Sequence, residues 1–155
     1  MKRIGKASPA VLVAVASAAG VAALAATGPS GSEAIKARQA AMEDVGKAMK
    51  ALAAMAKGEA PFAAGVVHEN AGVIADRLAK VEELFPSGSD KGDVETWAKA
   101  EIWTDQADFQ RQRAAARDAA LALASVTQAD AYRPALGQLG QGCKGCHDKY
   151  RRPKS

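Results

Sequence analysis

The sequence predicts an all-α fold, an antiparallel up-down-up-down four-helix bundle. Apolar residues recur at alternating three- and four-residue spacing in four separate stretches, the mark of helices with one buried face. No stretch carries the two-residue alternation of a strand. Two short connections and one long one join the four stretches, and short connections make consecutive helices antiparallel neighbours.

The chain opens on a segment that stands apart from this bundle. Lys2, Arg3 and Lys6 precede an apolar run from Ala10 to Ala26, and Ala23-Leu24-Ala25 fits the small-residue rule of a processing site. Residues 1–26 therefore read as a cleaved secretory signal peptide and 27–155 as one bundle domain. The other reading is a retained anchor, although about 17 alanine-rich residues lie at the lower limit for spanning a bilayer. Removing the signal takes away three of the 21 basic residues and none of the 17 acidic ones, so the formal charge of +4 falls to near neutral. A nucleic-acid role has no global electrostatic support.

From Ser32 to Lys57, the residues Ile35, Met42, Val45, Met49, Leu52 and Ala56 form one helix face, with Ser32 the expected N-cap and Gly58 the stop. A turn containing Pro61 leads to a second stripe, Val67, Ala71, Ile74, Leu78, Val81 and Phe85, ended by Phe85-Pro86-Ser87-Gly88. Residues 86–96 carry Ser, Gly, Asp and Lys with little apolar content and read as one long surface loop. Ile102, Phe109, Ala116, Ala120 and Leu123 mark a long third helix, whose other face carries Arg111, Arg113, Arg117 and Asp118, expected to be solvated. The fourth stripe runs Tyr132, Leu136, Leu139, Cys143, Cys146 and Tyr150, with Pro134 tolerated in a first turn, and turns both cysteines to the core.

Those two cysteines belong to Cys143-Lys144-Gly145-Cys146-His147, a CxxCH motif. At this spacing two thiols add to the vinyl groups of haem as thioethers while the adjacent imidazole ligates its iron. Zinc needs four nitrogen or sulfur ligands, and the chain has only two cysteines and two histidines, with His68 far away. A redox dithiol belongs beside a βαβ pattern, which is missing. A Cys143–Cys146 disulfide in a non-haem exported bundle is the remaining alternative. Export agrees with haem, because bacteria attach it covalently outside the cytoplasmic membrane.

In such a bundle the end of the fourth helix lies near the start of the first. At 1.5 Å per residue, Met42 sits about 15 Å into the first helix and His147 about 10 Å from the end of the fourth, so the two reach similar heights. A thioether can be the second haem ligand, yet methionine at helical spacing is equally a core filler, as Met49 on the same stripe illustrates. His68, beside Glu69 and Asn70, is expected on the wetter side of the second helix. Arg38 falls where the apolar stripe continues; if buried it needs an anion, which a haem propionate would supply, and otherwise it snorkels to water. Gln39 is a weaker candidate for the same propionate. Trp103 and Trp97 read as packing residues, Trp97 over the long loop.

Ile35-Lys36-Ala37-Arg38-Gln39-Ala40-Ala41-Met42, Lys57-Gly58-Glu59-Ala60-Pro61-Phe62, Glu101-Ile102-Trp103 and the block from Cys143 to Arg151 together resemble the class II cytochromes c, the cytochromes c′ and their low-spin relatives. The likeness spans nearly all of residues 27–155 and is most specific in the C-terminal block. It implies one covalent haem c per chain, with Cys143 and Cys146 as thioether positions, His147 as proximal ligand, Met42 at the distal position, Trp103 packed near the haem and Arg151 beside the proximal face. In cytochromes c′ the distal residue does not bond the iron, which is five-coordinate; in the low-spin relatives a methionine does. Met42-Glu43-Asp44-Val45-Gly46 looks nearer the low-spin type.

The leading expectation is thus a periplasmic electron carrier with His147 and Met42 as axial ligands. Periplasmic redox partner proteins would meet the basic residues Lys144, Lys149, Arg151, Arg152 and Lys154. The alternative is a five-coordinate protein that binds nitric oxide or carbon monoxide. An enzyme is not expected, since no nucleophile with a base, carboxylate pair or phosphate loop stands out. The resemblance also implies a homodimer through the first two helices.

Overall fold

The computed structural model describes residues 31–153, so the expected signal segment lies outside the described residues. Five helices follow in order: α1 (Gly31–Lys57), α2 (Ala64–Val81), α3 (Glu101–Thr104), α4 (Gln106–Ala124) and α5 (Ala129–Tyr150), with a 3₁₀ turn at Glu82–Leu84. The four long helices are the expected bundle: α1 packs on α2, α2 on α4 and α4 on α5. Among the described residues there is no strand, only an isolated bridge between Ala98 and Arg151.

The helix ends follow local chemistry. Gly58 takes a left-handed φ of 78°; its amide bonds the Met55 carbonyl at 3.1 Å, and the Glu59 amide bonds the Ala54 carbonyl at 2.9 Å. This Schellman pairing satisfies carbonyls that the end of α1 leaves open. Ser32 departs from expectation. It lies inside α1, and its hydroxyl accepts the Asp93 amide at 2.9 Å, so it pins the long connection instead of capping its own helix.

The expected third helix is broken. Asp105, at φ −130° and ψ 54°, closes the short α3 and caps α4 by accepting the Asp108 amide with its side chain. A capping aspartate offers the backbone a partner outside the helix, and here that outweighs the continuous apolar stripe. Pro134 also differs from expectation, sitting inside α5 beyond its first turn. Its exposed ring meets solvent, but the helix forgoes one backbone bond there.

Buried residues form two clusters. Leu52, Val67, Ile74, Leu123, Tyr132 and Leu139 belong to the larger, and Ala41, Val81, Ile102, Phe109 and Tyr150 make the smaller. Fully burying such a Leu or Ile contributes about 1.5–3 kcal/mol. The Tyr132 hydroxyl satisfies itself on the Leu52 carbonyl at 2.5 Å, and burial pushes its pKa up. Met42 touches both clusters, at the level where they separate.

Candidate cofactor site

A cavity of about 620 Å³ opens between α1 and α5, closed behind by α2 and α4 and at one end by residues 96–98. Its size falls within the roughly 300–1,000 Å³ of small-molecule and cofactor sites. Cys143, Cys146, His147 and Tyr150 all line it. On a helix, positions separated by three, four and seven residues share a face, so the last two turns of α5 present these four side chains together.

The chemistry of the motif suits covalent capture of an apolar ring. Both sulfurs are free thiols, and burial pushes each above the ordinary thiol range, Cys143 helping to raise Cys146. His147 is held below the ordinary imidazole value by burial first and by Arg151 second. A neutral imidazole keeps the lone pair that ligates a metal. Among the described residues no cluster of three or more His, Cys, Asp or Glu side chains could hold a bare metal ion.

The opposite wall belongs to α1. Met42 lines the cavity, and so does Met49, two turns further on. His68 is elsewhere: it is exposed on α2, with Nδ1 3.2 Å from the Ala124 carbonyl oxygen.

Arg38 lines the cavity and is buried, 5% exposed. One terminal nitrogen donates to the Leu84 carbonyl and the Ser89 hydroxyl, each at 3.2 Å. The other donates to the Ser89 carbonyl at 2.7 Å and the Thr96 hydroxyl at 3.1 Å. Its guanidinium carbon also lies 4.8 Å from the Phe85 ring centroid and 5.6 Å from that of Trp103. Neutral oxygens and two aromatic faces thus surround the guanidinium on the protein side. Burial lowers its pKa while Asp90 pulls the other way. Gln39, also at the cavity, turns its amide to the Glu95 carbonyl at 2.8 Å.

Trp103 stands one layer back. Its ring packs on Phe85 at 5.6 Å and its indole N–H donates to the Pro86 carbonyl at 3.0 Å, while Phe85 itself faces the cavity. Trp97, expected only to cover the loop, lines the cavity directly. Arg151 is exposed and borders both the main cavity and a second cleft of about 340 Å³ that it shares with His147, Lys99 and Arg152.

Three contributors were not singled out from sequence. Arg113, grouped there with the solvated face of α4, has a side chain only 11% exposed; it lines the cavity and bonds the Leu78 carbonyl at 3.0 Å and Glu82 at 2.7 Å. Phe109 meets Tyr150 edge to face at 5.2 Å. The Asp108 carboxylate receives Lys149 at 2.6 Å, the Tyr150 hydroxyl at 2.5 Å, and Arg111. Hydrogen bonds from Lys149 and then Tyr150 hold that carboxyl down to about 2 against the opposing effect of burial. Only Asp108 and Arg111, three apart on one helix, left a local trace; the rest joins residues some 40 positions apart.

The family model described as Cytochrome C′ matches residues 33–151. Cytochrome c′ from Rhodopseudomonas palustris is 38% identical over 125 residues, covering 80% of this chain and 85% of that one. A solved structure of cytochrome c′ from that species superposes with a TM-score of 0.73 at 36% identity, over 79% of this chain and 98% of the other. Cytochrome c-556 from Agrobacterium tumefaciens is 34% identical over 122 residues, 77% of this chain and 98% of its own. A nitric oxide complex of a variant cytochrome c prime from Alcaligenes xylosoxidans has a TM-score of 0.71 at 31% identity, over 80% and 98% of the two chains.

Proposed function

The chain belongs to the cytochrome c′ family, and from that premise we propose that it binds nitric oxide or carbon monoxide at a five-coordinate haem iron held by His147. Haem c is its covalent cofactor, and when bound it supplies an iron that takes up a diatomic ligand and changes oxidation state. Cys143 and Cys146 hold the ring as thioethers. His147, its pKa lowered by burial, would offer a ring nitrogen lone pair to the proximal face. Residues 1–26 direct the chain to the periplasm, and the protein is a ligand-binding carrier with no turnover of its own.

The observation that carries this reading is the character of the wall opposite His147. From α1, Met42, Val45, Gly46 and Met49 make an apolar stretch, with Arg38, Gln39 and Glu43 also lining the cavity, and among the described residues His147 is the imidazole that lines it. Such a wall supplies dispersion contacts and excludes water. Nitric oxide and carbon monoxide carry little charge, so an apolar wall leaves no buried polar group of theirs unpaired. The nitric oxide complex of the related cytochrome c prime supports the same reading.

An electron carrier with Met42 as sixth ligand is the second reading, favoured by the place of its thioether in this cavity and by the likeness to cytochrome c-556. One set of spectra separates the two. A high-spin ferric form, rapid nitric oxide uptake by the ferrous form and an unchanged spectrum in Met42→Ala are expected. A low-spin ferric form whose far-red methionine-to-iron band disappears in Met42→Ala would overturn the proposal in favour of electron transfer.

A further inference from the structure

The connection between the 3₁₀ turn and α3, expected as a surface loop, is fastened to α1 and α5 at once. On α1, Arg38 grips Ser89 and Thr96, and Ser32 accepts the Asp93 amide. The approach is close: a Cβ on Gly31 would run into the Lys91 carbonyl oxygen, and one on Gly92 would lie 2.9 Å from the Ser32 nitrogen. On α5, the Lys99 amide bonds the Tyr150 carbonyl at 3.0 Å and the Arg152 amide bonds the Trp97 carbonyl at 2.7 Å. The Lys99 ammonium adds bonds to the Asp148 and Lys149 carbonyls, at 3.0 and 3.1 Å, covering carbonyls in the last turn of α5.

Between these fastenings stands the cavity, and α1 and α5 scarcely pack on each other directly. Their separation is therefore set by what bridges them. Thr96 is the hinge point of the bridge, since its hydroxyl accepts from both Arg38 at 3.1 Å and the Ala98 amide at 3.2 Å, and Ala98 forms the bridge to Arg151.

We propose that Arg38 is a positioning residue: by clasping Ser89 and Thr96 it holds residues 85–99 as a strap that sets the spacing between α1, which carries Met42, and α5, which carries His147. The inference deepens the gas-binding reading, because that spacing decides how much room a ligand finds on the α1 side. Buried with four bonds to neutral oxygens, the guanidinium has one N–H left, on Nε, with which to serve another acceptor.

Two variants of the haem-loaded protein test this, Arg38→Met and the double substitution Ser89→Ala with Thr96→Val, which leaves the cation but removes two of its acceptors. Amide hydrogen exchange at Lys99 and Arg152 is read together with the carbon monoxide association rate of the ferrous form after flash photolysis. Both variants are expected to speed exchange at those two amides by about tenfold or more, through easier local opening, and to change the association rate in the same direction. Unchanged exchange at Lys99 and Arg152 would overturn the strap. So would an altered association rate in Arg38→Met with both readouts unmoved in the double variant, which is the result for a propionate partner. If Arg38→Met does not fold, the double variant decides alone. Failure of the wild type to take up carbon monoxide or nitric oxide would remove the gas-binding reading but leave the exchange result to judge the strap.

Discussion

The Tyr150 hydroxyl donates to the Asp108 carboxylate at 2.5 Å, and Lys149 donates to the same oxygen at 2.6 Å. This joins the last turn of α5, just past the haem motif, to the first turn of α4. A carboxylate near the N-terminus of a helix is also favoured by the helix dipole.

Asp108 should therefore govern acid stability. Its carboxyl is held down to about 2, against about 3.9 for an aspartate in the unfolded chain. A depressed folded-state value means that the unfolded state binds the proton more readily, so the stabilisation is complete above about pH 4 and is lost as pH falls towards about 2. In Asp108→Asn, urea midpoints measured from pH 7 to pH 2 are expected to be lower at neutral pH and to fall less steeply on acidification. Parallel curves for wild type and variant would contradict this.

Covalent attachment should depend on Cys143 and Cys146. Expressed in a host competent in cytochrome maturation, wild type is expected to show the mass of polypeptide plus one haem, and Cys143→Ala with Cys146→Ala the mass of polypeptide alone. His147→Ala should keep neither the spectrum nor the ligand affinity of the wild type. Intact-mass spectrometry and absorption on the same sample report these outcomes.

Tyr132 links α5 to α1 through the Leu52 carbonyl. Tyr132→Phe keeps the ring against Phe62, 5.5 Å between centroids, and removes only the hydrogen bond. Chemical denaturation should show a loss of about 0.5–1.5 kcal/mol. Tyr132→Ala, which also empties the site, should lose about 3–5 kcal/mol.

Gly58 tests the backbone alone. A Cβ there meets nothing within 4 Å, but its φ of 78° lies in the left-handed region. Gly58→Ala is expected to destabilise by about 1 kcal/mol through conformation and not contact, with the absorption spectrum unaltered. A thermal melt of the two proteins gives the comparison.

Of the first two stripes, Ile35, Leu52, Val67, Ala71, Ile74, Leu78 and Val81 are buried, while Met42, Val45, Met49, Ala56 and Phe85 are half-buried. Periodicity reads such positions well because each depends only on neighbours within two turns of one helix. It failed at Asp105, where a cap competed with the stripe, and at Arg113, whose partners Leu78 on α2 and Glu82 in the 3₁₀ turn lie more than 30 residues away.

By itself the sequence determined the four long helices, the end of α1 at Gly58 and the shared face of Cys143, Cys146 and His147, because helical period, a left-handed glycine and motif spacing are local properties of the chain. Only the tertiary structure decided that Arg38 serves Ser89 and Thr96, that Asp108 anchors Tyr150 and Lys149, and that residues 85–99 bind α1 to α5. Those pairings join residues some 40 to 60 positions apart. Burial fixes which donor meets which acceptor there, since a polar group removed from water must take whichever partner the packed helices bring within reach.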